Sequence, residues 1–160
     1  MSPAFPADQT IFLGTWNSVL RTRDGGETWE EVLDIHRYDE RSLYGTVQGN
    51  WALYNQPSAS GPGLAYASES SASAEMTFFG SSIKWIGGKA FIGGIAEVYV
   101  DGNFQGSVDL YSAESRWQEV LFSKNSLGPG MHSIKIVATG DKNPMSHGTY
   151  IFVDAFEAGD

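Results

Sequence analysis

The sequence predicts an all-β fold, an antiparallel β-sandwich, on three observations. Short runs of residues alternate between apolar and polar side chains, and glycine or proline interrupts nearly every run. Between Gly45 and Gly159 no window shows the apolar period of a helix. Because each alternating run has one apolar and one polar face, the runs predict strands of sheets packed face to face. About eight such strands favour a jelly roll or a related sandwich.

Several alternating runs carry this prediction. Trp85 is in phase with Ile83 and is expected in the core, and His132 is in phase with Ile134 and is expected to face inward with its polar atoms satisfied. The apolar positions of the runs are Ala74, Met76 and Phe78; Ile83 and Trp85; Ala96, Val98 and Val100; Val120 and Phe122; and Ile134 and Ile136.

The segment GIAEVYVDGNFQGSVDLY predicts a β-hairpin. A three-residue loop over 101–103 would pair Val100 with Phe104 and Ala96 with Val108, which keeps one face apolar. We therefore predict a type I turn with a bulge, in which Asn103 takes the left-handed conformation.

Composition excludes several classes of function. The chain has 160 residues, enough for one domain that buries about two thirds of its surface without a metal or disulfide. It has no cysteine, which excludes disulfides, thiolate metal sites and a cysteine nucleophile. A net charge of -9 argues against nucleic acid and anionic membranes as partners. No apolar stretch approaches the roughly 20 residues of a membrane span, so no membrane insertion is expected.

The first part of the chain differs from the rest. IFLGTWNSVLRTRDGGETWEEVL predicts two short strands around a turn, and the charged tract that follows marks a module boundary. We predict an N-terminal hairpin unit over 1–34 and a jelly-roll domain over 35–160. The turn Thr22-Arg23-Asp24-Gly25-Gly26-Glu27-Thr28-Trp29 resembles the Asp-box (BNR) repeat of sialidase-like β-propellers. Asp24 is expected to bind turn amides, Gly26 to allow positive φ, and Trp29 to pack on the neighbouring strand.

From about Tyr38 to Glu157 the chain resembles galactose-binding-like jelly rolls, which include many carbohydrate-binding modules. The resemblance depends on the ordered series SLYGTVQGNW, SAEMTFFGSSIKWIG, GGIAEVYVDGNFQGSVDLYS, VLFSKNSLGPGMHSIKIVATG and NPMSHGTYIFVDAFE. It implies a module that holds a secreted or surface protein on a glycan or polysaccharide.

Strand direction predicts where a ligand would bind. Strands that alternate up and down bring the connections 87–93, 112–116 and 139–148 to one end, and the turns near 80, 102 and 126 to the other. The first set is longer, and long loops at one end of a rigid sandwich commonly carry binding sites. We expect Lys89, Arg116 and Asn143 to bind hydroxyl or carboxylate groups and Phe91 or Trp117 to form an aromatic platform. The candidate ligand-binding residues are Lys89, Phe91, Arg116, Trp117, Asn143 and His147.

Asp154 interrupts the apolar closing strand TYIFVDAFE. A carboxylate there needs a hydrogen bond, an ion pair or a metal. The family resemblance implies a structural Ca²⁺ held by Asp154 with Asp39 and Glu40, with backbone capping by Asp154 as the alternative.

We expect no catalysis, because the three histidines are scattered and no Gly-x-Ser-x-Gly motif is present. Two alternatives to a glycan-binding module stay open: an assembly module of a virion fibre or cell-surface protein, as a homo-oligomer or within a larger parent protein, and a C-terminal fragment of a sialidase-like glycoside hydrolase. The start, MSPAFPADQT, has no signal-peptide pattern. As part of an exported protein the domain is expected outside the cell or on a cell or virion surface.

Overall fold

The computed structural model describes residues 11–14, 18–39, 45–57, 59 and 63–159. In these residues the chain is all-β with antiparallel sheets and no helix, which confirms the predicted fold class. None of the described elements is a helix that could cross a membrane. The strands of the described residues are β1 (Ile11–Gly14), β2 (Ser18–Thr22), β3 (Glu30–Asp39), β4 (Gly45–Gln48), β5 (Ala52–Tyr54), β6 (Leu64–Ala67), β7 (Ser73–Gly80), β8 (Ser82–Lys89), β9 (Gly94–Val100), β10 (Asn103–Asp109), β11 (Arg116–Lys124), β12 (Gly130–Lys142), β13 (Ile151–Val153) and β14 (Ala155–Gly159).

Two large sheets form the sandwich. One has the strand order β1-β2-β3-β14-β8-β11 and the other β10-β9-β12-β7-β4, while β13-β6-β5 form a small third sheet. The apolar positions of β7, β8, β9 and β12 enter one buried cluster, and Phe122 of β11 packs against it. The prediction that Val120 shares this face with Phe122 is wrong: Val120 is 55% exposed, because the register of β11 against β8 shifts between the two residues. Trp85 is fully buried, as predicted, and its indole Nε1 donates to the carbonyl of Phe152 at 3.2 Å.

The predicted N-terminal hairpin is present as β1 and β2. The tract after it, which the sequence pattern left unassigned, continues as the long strand β3. The first half of β3 pairs with β2 as far as Asp34, and the second half pairs with β14 from Ile35 onward. The predicted division between 34 and 35 therefore falls where β3 changes its partner, and whether the two parts are separate units stays a prediction.

The register predicted for the β9–β10 turn is wrong. The turn has two residues, Asp101 and Gly102, with φ of 51° and 73°. Asn103 is not in the left-handed region but pairs directly with Val100. The reason is local: two positive φ values define a type I′ turn, and Asp-Gly is among its preferred sequences.

The predicted pairing of Val108 with Ala96 is nevertheless correct. A bulge between Phe104 and Gly106 adds one residue to β10 and restores the phase of the strand. Phe104 pairs with Tyr99 on the outer face of the sheet, where the two ring centroids are 5.6 Å apart.

The His132 side chain is satisfied, as predicted. Its Nδ1 lies 2.7 Å from Asp101 Oδ2, and its Nε2 lies 2.6 Å from the carbonyl oxygen of Gly128. Asp101 Oδ1 also accepts the backbone N–H of Ser133 at 2.8 Å. These bonds tie the β9–β10 turn to the β11–β12 connection at one end of the sandwich.

Candidate functional site

Three connections meet at the opposite end of the sandwich, as predicted from strand direction. They are 90–93 between β8 and β9, 110–115 between β10 and β11, and 143–150 between β12 and β13. The backbone N–H of Ala90 donates to Leu110 at 3.0 Å, and that of His147 donates to Phe91 at 2.9 Å. Each connection is therefore bonded to another.

Asp109, at the end of β10, holds these connections together. Its Oδ2 accepts Asn143 Nδ2 at 2.7 Å, and its Oδ1 accepts the backbone N–H of Tyr111 at 2.9 Å. Its carbonyl accepts Lys89 Nζ at 2.9 Å. The sequence analysis missed this residue. The available signal was an Asp at a strand end, where the side chain commonly bonds the backbone two residues onward.

The connection 90–93 is fixed on both sides. The Phe91 carbonyl accepts the N–H of His147 and, at 3.2 Å, the hydroxyl of the buried Ser146. The Ile92 carbonyl accepts the N–H of Tyr150 at 3.1 Å. These bonds hold the backbone of the connection in place before any ligand arrives.

An aromatic cleft of about 310 Å³ lies beside this connection. Its walls include two ring pairs: Tyr54 and Trp117, with centroids 6.2 Å apart, and Tyr66 and Tyr150, 5.8 Å apart. Phe152 meets the Trp117 ring edge-on at 5.7 Å. The residues that line the cleft are Tyr54, Tyr66, Ala90, Phe91, Ile92, Ser115, Trp117, Tyr150 and Phe152.

Trp117 depends on a glycine for its position. The sequence predicts this residue as an aromatic platform, and in the structure it both packs on the core and lines the cleft. One side of the ring lies against Gly88, whose missing side chain leaves room for it. The half-buried indole also lines the cleft together with Phe91, the other predicted platform residue.

The other predicted ligand-binding residues lie around the cleft rather than in its lining. Lys89 and Asn143 hold the connections through Asp109. Arg116 is exposed at the start of β11, opposite Lys89 in the strand register. His147 is exposed, and its ring meets Phe91 edge-on at 6.1 Å. Direct roles of these four side chains in binding stay predictions.

Sequence reasoning did not select Tyr54, Tyr66, Tyr150 or Phe152 for the site. They come from β5, β6, β13 and the residue before β13, and these three strands form the small third sheet. No local pattern of β5 indicated that pairing, because all three of its residues are exposed.

The proposed calcium ligands are placed only in part. Asp154 is 1% exposed and lies between β13 and β14, where its N–H donates to Ile86 at 3.0 Å. The backbone of Asp39 is opposite Ala155 in the β3–β14 register, and Glu40 lies outside the described residues. Among the described side chains no three acidic or histidine groups are close enough to hold a metal. The calcium site stays a prediction.

The turn after β2 is organised by Asp24 and Thr22. Asp24 accepts the N–H of Thr28 at 2.9 Å and the hydroxyl groups of Thr22 and Thr28. These hydrogen bonds, from Thr22 first and then Thr28, hold the pKa of Asp24 well below its usual range. Gly26 has a φ of 105° and its N–H donates to the Thr22 hydroxyl, while Trp29 remains 42% exposed. Membership of the Asp-box repeat stays a prediction.

A second concavity, of about 460 Å³, lies on the outer face of the five-stranded sheet. Its lining includes the hydroxyl groups of Ser73 and Ser133 and the ion pair of Lys135 with Glu75 at 3.5 Å. The Tyr99 hydroxyl there donates to Glu97 at 2.6 Å, which raises the pKa of the phenol. This surface presents one aromatic ring in its lining, whereas the cleft at the loop end presents several.

Comparison with known proteins gives two curated relatives. No family model matches the chain. It is 33% identical over 113 residues to a protein named A type blood N-acetyl-alpha-D-galactosamine deacetylase, from Flavonifractor plautii. It is 32% identical over 92 residues to the A type blood alpha-D-galactosamine galactosaminidase of the same organism. The matches cover 71% and 58% of this chain but only 14% and 8% of the two relatives.

Solved structures share the fold at low sequence identity. A Paenibacillus xanthan lyase matches with a TM-score of 0.60 at 19% identity, over 78% of this chain and 13% of the lyase. A two-domain esterase active on acetylated mannans, co-crystallised with mannopentaose, matches with a TM-score of 0.59 at 14% identity, over 79% of this chain and 36% of the esterase. The CBM36-1 domain of a xylanase from the hindgut metagenome of Trinervitermes trinervoides matches with a TM-score of 0.54 at 14% identity, over 78% of this chain and 95% of that domain. The chain therefore shares a jelly-roll-like antiparallel β-sandwich fold with these domains.

Proposed function

We propose that this domain is a non-catalytic module that binds a glycan in the aromatic cleft at the loop end of the sandwich. The observation that carries the proposal is the set of rings that line one cleft, led by Trp117, Tyr54 and Phe91. Pyranose rings have an apolar face of C–H groups that packs on aromatic side chains, and their hydroxyl groups bond polar atoms at the rim.

The rigidity of the cleft also supports glycan binding there. The backbone bonds of the connection 90–93 and the bond between Asp109 and Asn143 hold the connections around the cleft in place without a ligand. A binder that is ordered beforehand loses less entropy on association, which matters for a ligand that offers few strong contacts. Trp117 is similarly restrained between Gly88 and Phe152.

The comparisons support attachment to a larger protein that acts on glycans. Both curated relatives are named for activity on galactosamine sugars of the A blood type, and this chain corresponds to a small part of each. No carboxylate is among the described residues that line the cleft. We therefore assign binding to this domain and any chemistry to another part of such a protein, located outside the cell or on its surface.

The proposal is tested by screening the chain against a glycan panel and then comparing two variants. We expect Trp117→Ala to weaken binding by more than about tenfold, since truncation of a central aromatic contact to alanine costs about 2 kcal/mol or more and tenfold in affinity is about 1.4 kcal/mol. The matched control is Phe104→Ala, which removes an exposed ring on the other face of the sandwich. Absence of binding by the unaltered chain to every glycan at millimolar concentration would refute the proposal, as would equal affinities of the two variants.

One observation favours assembly as a second candidate function. Among the described strands β1 lies at the edge of its sheet, and its side chains Ile11, Phe12 and Leu13 are 45%, 61% and 50% exposed. An apolar edge strand can add to the sheet of another chain. Measurement of the mass in solution distinguishes this function, because a monomer at all concentrations would contradict self-assembly.

A further inference from the structure

The lining of the aromatic cleft is uncharged and mostly apolar. Among the described residues that form it, none carries a charge, and the polar side-chain atoms are the hydroxyl groups of Ser115 and three tyrosines and the indole N–H of Trp117. The remaining lining is aliphatic or phenyl: Ala90, Phe91, Ile92 and Phe152. A sugar that presents hydroxyl groups in every direction would leave some of them buried against these apolar groups.

The aliphatic part of the lining is fixed in position. The Ala90 N–H donates to Leu110 at 3.0 Å, and the Ala90 carbonyl accepts the N–H of Gly93 at 2.9 Å. The Ile92 carbonyl accepts the N–H of Tyr150 at 3.1 Å. These bonds fix the backbone of the connection, so Ile92 keeps its place beside the cleft in the absence of a ligand.

From this chemistry we infer that the cleft selects neutral sugars that carry an acetyl substituent, such as an acetamido group. The inference rests on the proposed function and specifies its ligand. The acetyl methyl packs on the partly buried Ile92, while the pyranose ring packs on the rings of Trp117 and Tyr54. The amide of an acetamido group bonds the hydroxyl groups in the lining.

The same lining disfavours two other classes of sugar. A uronic acid would bring a carboxylate into a cleft whose described lining supplies no cation, so the charge is disfavoured there unless it turns outward to the exposed Arg116 beside the cleft. An unsubstituted hexose has a hydroxyl group in place of the acetamido nitrogen and no methyl group to cover Ile92, so it lacks this apolar contact. The volume of about 310 Å³ is at the small end of ligand pockets, roughly 300–1,000 Å³, which suits one terminal sugar residue.

The test compares matched methyl glycosides on the whole chain by calorimetric or NMR titration: N-acetylgalactosamine against galactose, N-acetylglucosamine against glucose, and galacturonic acid. We expect the acetylated member of at least one pair to bind about fourfold tighter or more, the gain from burying one methyl group. Saturation-transfer NMR is expected to give its strongest signal on the acetyl methyl.

Two variants test whether the preference for the acetylated sugar depends on the cleft. Ile92→Thr is expected to bring the affinity ratio of the pair close to one, while Val120→Thr, an exposed position of β11 outside the cleft, keeps the ratio of the unaltered chain. Thermal unfolding of both variants shows whether they fold, and the glycoside comparison on the unaltered chain does not depend on them. Equal or tighter binding of the unsubstituted sugars, or tightest binding of galacturonic acid, would overturn the inference and leave the proposed function standing. No binding of any sugar would overturn both.

Discussion

The indole of Trp117 lies so close to Gly88 that a methyl group on that glycine would come within 2.4 Å of the ring atom Cε3. The cleft wall therefore depends on the absence of a side chain in β8. Gly88→Ala is expected to displace the indole, to lower stability by about 1–3 kcal/mol through overpacking and to weaken glycan binding. Tryptophan fluorescence, thermal unfolding and titration measure the three effects.

The control for this substitution is Gly128→Ala, because a methyl group at Gly128 meets no atom within 4 Å. That variant is expected to keep the fluorescence, stability and affinity of the unaltered chain. If Gly88→Ala behaved in the same way, Trp117 would not be held by contact with β8.

The pair of Asp109 and Asn143 is expected to act as one unit. Asp109→Ala and Asn143→Ala should each cost about 1–3 kcal/mol, since each leaves partly buried polar atoms without a partner. The double variant should cost less than the sum, with a coupling of about 0.5–3 kcal/mol. Denaturant unfolding measures the three free energies. Additive costs would show that the two side chains do not support each other in solution.

The contact of His132 with Asp101 predicts a stability maximum in mildly acidic solution. The Gly128 carbonyl and then the Asp101 carboxylate raise the pKa of His132 above its ordinary value of 6.5. The stability from protonated His132 is therefore complete below about pH 6.5 and is lost as the pH rises through the raised pKa. The Ser133 N–H, followed by His132, lowers the pKa of Asp101, so its contribution is present above its usual pKa, 3.8, and is lost on acidification through the lowered value.

Unfolding measured across this pH range checks the prediction. His132→Gln should flatten the decline in stability on the alkaline side, while His147→Gln, at the other end of the sandwich, should leave it unchanged. An alkaline decline of the same size in His132→Gln would assign it to a different group.

The hairpin turn is expected to open independently of the sandwich. Thr22 is 1% exposed, and its hydroxyl bonds Asp24 and the N–H of Gly26. Thr22→Val keeps the shape but removes these bonds, so amide exchange in β1 and β2 should accelerate by about tenfold. Amides of β9 and β12 are expected to keep their rates. Equal acceleration in all four strands would show one cooperative unit and contradict the predicted division at residue 34.

The fold was predictable where apolar and polar side chains alternate along a single strand, because that alternation indicates which face is buried. Ile134 and Ile136 are fully buried and Lys135 between them is not, as the alternation of β12 requires. β3 gave no such signal in its charged tract, because its pairing with β14 depends on residues more than a hundred positions away. The predicted three-residue loop between β9 and β10 is wrong because it follows from the pairing of apolar residues alone. Asp101-Gly102 prefers a two-residue turn, and that preference decides the register.

The candidate site was predictable to a similar extent. Strand direction correctly brought the three long connections together, and it selected Phe91 and Trp117, which both line the cleft. The ring partner of Trp117, Tyr54, is 63 positions earlier and belongs to a sheet that no period predicts. The bond from Asn143 to Asp109 likewise joins residues 34 positions apart. Such partners are set by the tertiary fold rather than by local sequence.

The change of partner along β3 has a mechanical consequence. Its first half is bonded to the hairpin and its second half to β14, so both parts share one continuous backbone. A pull on the hairpin along the axis of β3 would load the bonds to β14 in shear, all at once, instead of peeling them apart singly. A tether attached through the hairpin would thus transmit tension directly into the sheet behind the cleft.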